Sequence, residues 1–185
     1  MAARAKHKAP PPPAKSTLAT DAQAASGYGH IKSFIRTLKN FQFERALEHV
    51  DVHDHALRAA LHEGLADAYA QRDHWVESVR HREAALALRR ELGELTDVAR
   101  NLRRYAGCLW RLCRGAEHRD VIAELHTLLD DLPDSAEKGW VSAFLSDDMT
   151  DERAADALLE TARMLAAKYG DPGLAPYVSM LRGCR

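Results

Sequence analysis

Apolar residues in this chain recur at intervals of three and four, the spacing that places side chains on one face of a helix. Ile31, Phe34, Ile35 and Leu38 open the pattern. Phe41, Phe43, Ala46, Leu47 and Val50 carry it less regularly past Asn40, so one long or two short helices are expected there. Leu57, Ala60, Leu61, Gly64, Leu65, Ala68 and Tyr69 make a second stripe, which stops at the polar stretch from Gln71 to His74. A third helix is expected from Trp75 to Leu92, closed by Gly93, since glycine accepts the left-handed backbone of a helix terminator without cost. Val98, Leu102, Tyr105, Leu109 and Leu112 form the next stripe, with a break at Arg114 and Gly115. Val121, Ile122, Leu125, Leu128, Leu129 and Leu132 follow, up to Pro133. A weaker helix lies around Trp140, Val141, Phe144 and Leu145. Thr150 is then placed to cap a helix that opens on Asp151 and Glu152, carries Leu158, Leu159 and Leu165, and stops at Gly170.

Paired helices thus end at 93, 133 and 170, at nearly constant spacing. A hairpin of two four-turn helices cannot bury its apolar faces alone, so neighbours must stack. The expected fold is all-α: an α-solenoid of stacked antiparallel helix pairs over residues 54–93, 97–133 and 135–170, with a final helix over 173–184. A helical segment and linker precede it at 28–53. Residues 1–27 combine the run Pro10 to Pro13 with small and polar residues that bury too little surface to offset ordering entropy, and are expected to form a disordered tail. Pro176 weakens the last helix of the pattern. Tyr177, Val178 and Leu181 there either belong to a capping helix or pair with a second copy, making a homodimer.

The stretch LADAYAQRDHWVESVRHREAAL, 65–86, resembles the tetratricopeptide repeat. Leu65, Ala66 and Tyr69 fall where that repeat has Leu, a small residue and Tyr, and Ala85 and Leu86 match its closing pair. Asp73, Trp75, Glu77 and Ser78 occupy its turn and small-residue positions. Arg82 departs, standing where an aromatic ring is usual. More narrowly, HEGLADAYAQRDHWVESVRHREAALALRRELGE and NLRRYAGCLWRLCRG, with LWRLCRG at 109–115 the most specific piece, look like the helical-repeat region of actinobacterial LuxR-type, ATPase-containing transcriptional regulators. The likeness extends through ARMLAAKYGDPGLAPYVSMLRGC and covers residues 55–184. It implies a sensor or interaction arm, here without the ATPase and helix-turn-helix domains of such regulators, either standing alone or detached from a longer parent.

Composition agrees with helices and narrows the function. Aromatic residues are 6 % of the chain, charged residues 29 %, and the net charge is -1, which gives no global attraction to nucleic acid or anionic membrane. The first sixteen residues carry Arg4, Lys6, Lys8 and Lys15 and no acid, a charge of +4 that leaves -5 on the remainder. Non-specific, salt-sensitive DNA binding through that tail is the weakest reading; sequence-specific DNA recognition is not expected. The N-terminus lacks the apolar core of a secretion signal, and no run of about 20 apolar residues is present to span a bilayer, so a cytoplasmic protein with reduced thiols is expected.

The residues most like chemistry are HVDVHDH, 49–55. On a continuous helix His49 and His53 would share a face while His55 points away, so three imidazoles do not converge; in an irregular linker convergence is possible, but Asp51 and Asp54 are good capping residues and the favoured reading is a solvated linker. A metal-dependent hydrolase using His49, His53, Asp54 and His62 is the alternative. Gly27 to Ser33 superficially resembles a phosphate-binding loop, but Ile31 stands where a glycine must precede Lys32. Trp75, Trp110 and Trp140 are read as packing anchors, and Cys108 and Cys113 as small buried hydrophobes. Arg80, Arg82, Arg89, Arg90, Arg100, Arg103 and Arg104, alternating with Glu83, Glu91 and Glu94, are read as solvated faces.

The function expected from this pattern is noncatalytic: a regulatory scaffold, in signal transduction or transcription control, that binds a protein, a peptide or a small effector and uses no cofactor. By analogy with tetratricopeptide grooves, the outward positions of the first helices are Glu63 and Asp67 in one unit and Asn101, Arg104 and Arg111 in the next. That lining is mixed in sign and lacks the Lys/Asn set used to clamp a terminal carboxylate, which points to a charged helix or peptide bearing both signs.

Overall fold

A computed structural model describes residues 42–183, which lie within one compact unit. The expectations for the proline-rich basic tail, for the phosphate-loop-like stretch and for the helix opening at Ile31 fall outside the described residues. Within them the regular structure is entirely helical.

Residues 42–49 (α1) are helical and end with Val50 N–H donating to Ala46 C=O at 2.9 Å. Asp51 then accepts from the His53 N–H at 2.9 Å within the linker, and Asp54 accepts from the Leu57 N–H at 3.0 Å, a backbone donor that the start of the next helix leaves open. That helix is α2, His55–Ala70, followed by α3, Trp75–Leu92, and α4, Leu95–Arg111. α5 spans Gly115–Leu129, α6 Ala136–Asp148, α7 Glu152–Tyr169 and α8 Leu174–Gly183.

Three of the connecting turns share one geometry. At Asp73, Gly93 and Cys113 the backbone is left-handed, with φ of 60°, 70° and 56°. In each, the next residue's N–H reaches back to the first carbonyl of the closing turn: His74 to Tyr69, Glu94 to Arg89 and Arg114 to Leu109. Such a turn satisfies carbonyls that a helix end leaves open and reverses the chain in few residues. The break anticipated at Arg114 and Gly115 spans Leu112, Cys113 and Arg114, and Gly115 is already the first residue of α5. The cap of α7 shifts too: Asp151, not Thr150, accepts from the Arg153 N–H at 2.9 Å.

Each helix from α2 to α8 packs on the next, and in addition α4 packs on α6 and α6 on α8. One apolar cluster joins α3 to α6 around Leu102, Leu109, Leu125, Val141 and Leu145; a second joins α6 to α8 around Ala143, Leu159, Ala162, Leu174 and Val178. α6 serves both because Val141 and Leu145 project to one side and Ala143 to the other. Burying a leucine side chain contributes roughly 1.5 to 3 kcal/mol, so these clusters outweigh any helix propensity. Pro176 does not disturb α8. It sits in the first turn, where a backbone N–H has no helical partner to lose, while Asp171 accepts from the N–H groups of Gly173 and Leu174 at 2.8 and 2.9 Å.

Candidate functional site

The residues expected to line a groove divide between two places. Glu63, Asp67, Asn101 and Arg104 join one polar network that braces α2, α3 and α4 against one another. Asn101, anticipated as outward, is 1 % exposed. Its amide nitrogen donates to Glu63 at 2.6 Å, and its carbonyl oxygen accepts from Arg82 Nη1 at 2.9 Å. Arg82, anticipated on a solvated face, is 2 % exposed and ion-paired with Asp67, whose other oxygen accepts from Arg104 Nη1 at 2.6 Å. Arg89 is also drawn inward, donating to Glu63 at 2.8 and 3.2 Å and to Glu94.

Burial opposes charge in this network, and the balance differs from group to group. At Glu63 burial pushes the carboxyl up, but hydrogen bonds from Arg89 and Asn101 outweigh it and hold the group below the usual range. At Arg82 burial pulls the guanidinium down against the support of Asp67, and its Nε has no partner. Apart from that nitrogen these groups are paired with one another, which makes them a brace between hairpins.

Arg111 lies elsewhere, on a cleft of about 590 Å³ formed where α4, α5, α6 and α8 meet. Gly107, Trp110 and Arg111 come from α4, His118 and Ile122 from α5, Phe144, Asp147 and Asp148 from α6, and Tyr177 from α8. Trp110 is not a packing anchor: it is 67 % exposed. The Arg111 guanidinium sits 5.3 Å from the Trp75 ring and 5.6 Å from the Trp110 ring, so it is steadied by two aromatic faces. Tyr177 leans on Trp140 at 5.2 Å, and Trp140 donates its indole N–H to Asp171 at 3.2 Å. Burial raises the Tyr177 hydroxyl pKa, and the Asp147 carboxylate raises it further, which places that charge within reach of the ring. A neighbouring hollow shares Asp147 and adds Met149, Thr150, Glu152 and Asp156.

The HVDVHDH imidazoles are distributed along the chain instead of gathered. His49 closes α1, His53 is exposed in the turn, and His55 opens α2 with Nδ1 3.0 Å from a Glu91 oxygen. Among the described residues no group of three or more His, Cys, Asp or Glu is placed to hold a metal ion. His62 instead faces His81, with the two Nδ1 atoms 2.9 Å apart. The Tyr69 ring stacks on His81 at 5.5 Å, and His74 on Tyr69 at 6.1 Å. Burial, then the charges of His62 and Arg80, push His81 down to about 4, and burial with Arg58 and Arg80 lowers His62. This pair went unread in the sequence, although His81 lies between the inward positions Ser78 and Ala85 at helical spacing.

Of the two cysteines read as buried, Cys108 is, with Sγ 3.4 Å from Ser78 Oγ, while Cys113 is exposed in its left-handed turn. Among the described residues no helix is long and apolar enough to cross a membrane. No protein-family profile matches this chain, and no curated protein is significantly similar to it.

Proposed function

We propose that this chain is a noncatalytic helical-repeat scaffold of the tetratricopeptide type, acting in the cytoplasm as the recognition arm of a regulatory system. Its resemblance to the helical-repeat region of LuxR-type, ATPase-containing transcriptional regulators is the source of the regulatory half of that reading. The contact pattern supports the repeat half: α4 packs on α6 and α6 on α8, as well as each helix on its successor. Alternate helices in contact are what stacked hairpins produce, and a cleft along those helices is where such arrays present side chains to a partner.

The single observation that carries recognition is Trp110, exposed on that cleft although most of the apolar side chains of α4 are buried. A large ring held in water beside a guanidinium is the composition of a binding hot spot, where aromatic and arginine side chains dominate affinity. The polar network of Glu63, Asp67, Asn101 and Arg104 then positions the hairpins, and Arg111 alone of the anticipated five belongs to the cleft.

Photo-crosslinking tests this. Gly107 faces open space, with nothing within 4 Å of an added methyl, so a photoreactive side chain fits there without repacking. In the native cell, position 107 is expected to capture one recurrent polypeptide that a probe at exposed Thr127, on α5, does not. Identical products at both positions, or none at 107, would end the reading. An ATPase or helix-turn-helix protein as the captured species would further favour a regulatory arm.

A further inference from the structure

We propose that the Trp110 cleft receives the cationic side chain of a partner polypeptide, an arginine or lysine flanked by an apolar residue. This rests on the recognition reading above and adds the chemistry of the occupant.

Three aromatic rings from three helices, Trp110, Phe144 and Tyr177, line one cleft in a chain where aromatics are only 6 % of residues. Aromatic faces attract cations through the ring quadrupole, most of all where water is partly excluded. Beside them α6 ends on Asp147 and Asp148, with no basic residue in its last turn. That is the unfavourable way to end a helix, since the carbonyl terminus already carries partial negative charge. Two carboxylates added there cost stability unless a cation arrives to offset them, and local rules broken in this way mark functional sites. The adjoining hollow contributes Glu152 and Asp156 on the same side.

The cations of the cleft set the orientation. Arg111 is stacked on Trp75 and Trp110, and His118 lies near it, so a second cation is repelled from that end and driven toward Asp147 and Asp148. The apolar neighbour of the incoming residue then covers Phe144 and the open side of Trp110. An acidic segment would meet Asp147 and Asp148 without compensation, which gives the cleft a sign preference.

The test uses the full chain labelled with nitrogen-15 and two pentapeptides at low salt, blocked at both ends: alanine-leucine-arginine-leucine-alanine, and the same sequence with glutamate for arginine. The Trp110 indole signal is assigned by its loss in Trp110→Phe. The arginine peptide is expected to move the Trp110 indole and the Tyr177 amide with a Kd on the order of millimolar, and the glutamate peptide to leave them in place. Asp147→Asn with Asp148→Asn, at two exposed positions, should weaken binding at least about tenfold while the melting temperature rises or holds, since the end of α6 is relieved of two unfavourable charges. Equal shifts with both peptides, preference for glutamate, indifference to the double substitution, or no shift with either peptide would overturn the proposal. If the glutamate peptide binds, the cleft remains a recognition site and only the sign of its occupant is wrong. If neither binds and position 107 captures nothing, the recognition reading falls with it.

Discussion

Arg82 Nη1 lies 2.9 Å from the side-chain oxygen of Asn101, and both side chains are shut away from water. The pair ties α3 to α4, and the ion pair of Arg82 with Asp67 ties the same guanidinium to α2. At this position the tetratricopeptide pattern has an aromatic ring, which holds helices together by area alone. Here a charged fork does so by direction: its two terminal nitrogens each fix one neighbour, at the cost of needing a counter-charge that the fold must supply.

Removing the counter-charge should therefore cost more than removing a surface partner. Asp67→Ala leaves the Arg82 guanidinium buried without its anion; because Asp67 itself reaches solvent, water softens the loss, and the variant is expected to destabilise the protein by about 1 to 3 kcal/mol. Arg104→Ala removes a partner of the same carboxylate that is itself well exposed, and should cost less than about 1 kcal/mol. Urea unfolding of both variants separates the cases; equal losses would mean that Arg82 does not depend on Asp67.

Two helical glycines should respond to a methyl group with opposite signs. Gly107 faces open space, so Gly107→Ala gains helix propensity and should stabilise by about 0.5 to 1 kcal/mol. At Gly139 the added carbon would lie 2.6 Å from Leu174 Cδ2 and 3.1 Å from Leu165 Cβ, where α6, α7 and α8 converge. Gly139→Ala is expected to cost about 1 to 3 kcal/mol through forced repacking. Thermal melts of the two variants check this, and a stabilised Gly139→Ala would show that α8 is free to slide away.

The sequence made the helices legible because a 3.6-residue period is local: the Leu102, Tyr105, Leu109 and Leu112 stripe needs no knowledge of its neighbours. The same rule read with more care excludes Trp110, which stands about 100° around the helix from Leu109 and so leaves the buried stripe. Gly93 and Gly170 announced helix ends because glycine is the residue that turns left without strain. Asp73 and Cys113 turn the same way, but there only the turn at Asp73 was legible and the left-handed backbone was not, since a side chain accepts that backbone only when the packing on both sides closes the hairpin around it. The polar network was hidden for a similar reason. Arg82 and Asn101 look like any exposed charge and amide until α3 and α4 are docked, and only then does burial turn them into obligatory partners.

Cys113 offers a direct measure of the strain in such a turn. An L-residue with φ of 56° pays roughly 1 to 2 kcal/mol that glycine does not, and part of the relief is returned as extra freedom of the unfolded chain. Cys113→Gly is expected to stabilise the protein by about 0.5 to 1 kcal/mol, read as a higher urea midpoint under reducing conditions. Loss of stability would mean that the thiol makes a contact worth more than the strain.

The His62 and His81 pair should make the protein sensitive to mild acid. Their Nδ1 atoms, 2.9 Å apart, share one proton between a donor and an acceptor, so the contact holds only while at least one ring is neutral. Burial, the His62 charge and Arg80 push His81 down to about 4, whereas in the unfolded chain it titrates near 6.5. Between those values the unfolded state binds the extra proton, so unfolding free energy rises with pH across the window: it is complete above about 6.5 and lost progressively as pH falls toward 4. His62, also lowered, adds in the same direction. The full swing from His81 is about 3 kcal/mol. The carboxylates held below their usual range, such as Glu63, Glu160 and Asp171, lose their contribution only at lower pH, which leaves the interval from 6.5 to 5 to the imidazoles. Urea unfolding at pH 7, 6 and 5 should show the native protein weakening steadily, and His81→Gln, which keeps a hydrogen-bonding group but cannot take up a proton in this range, should flatten that slope. A slope as steep in the variant as in the native chain would place the acid sensitivity outside the α2–α3 hairpin.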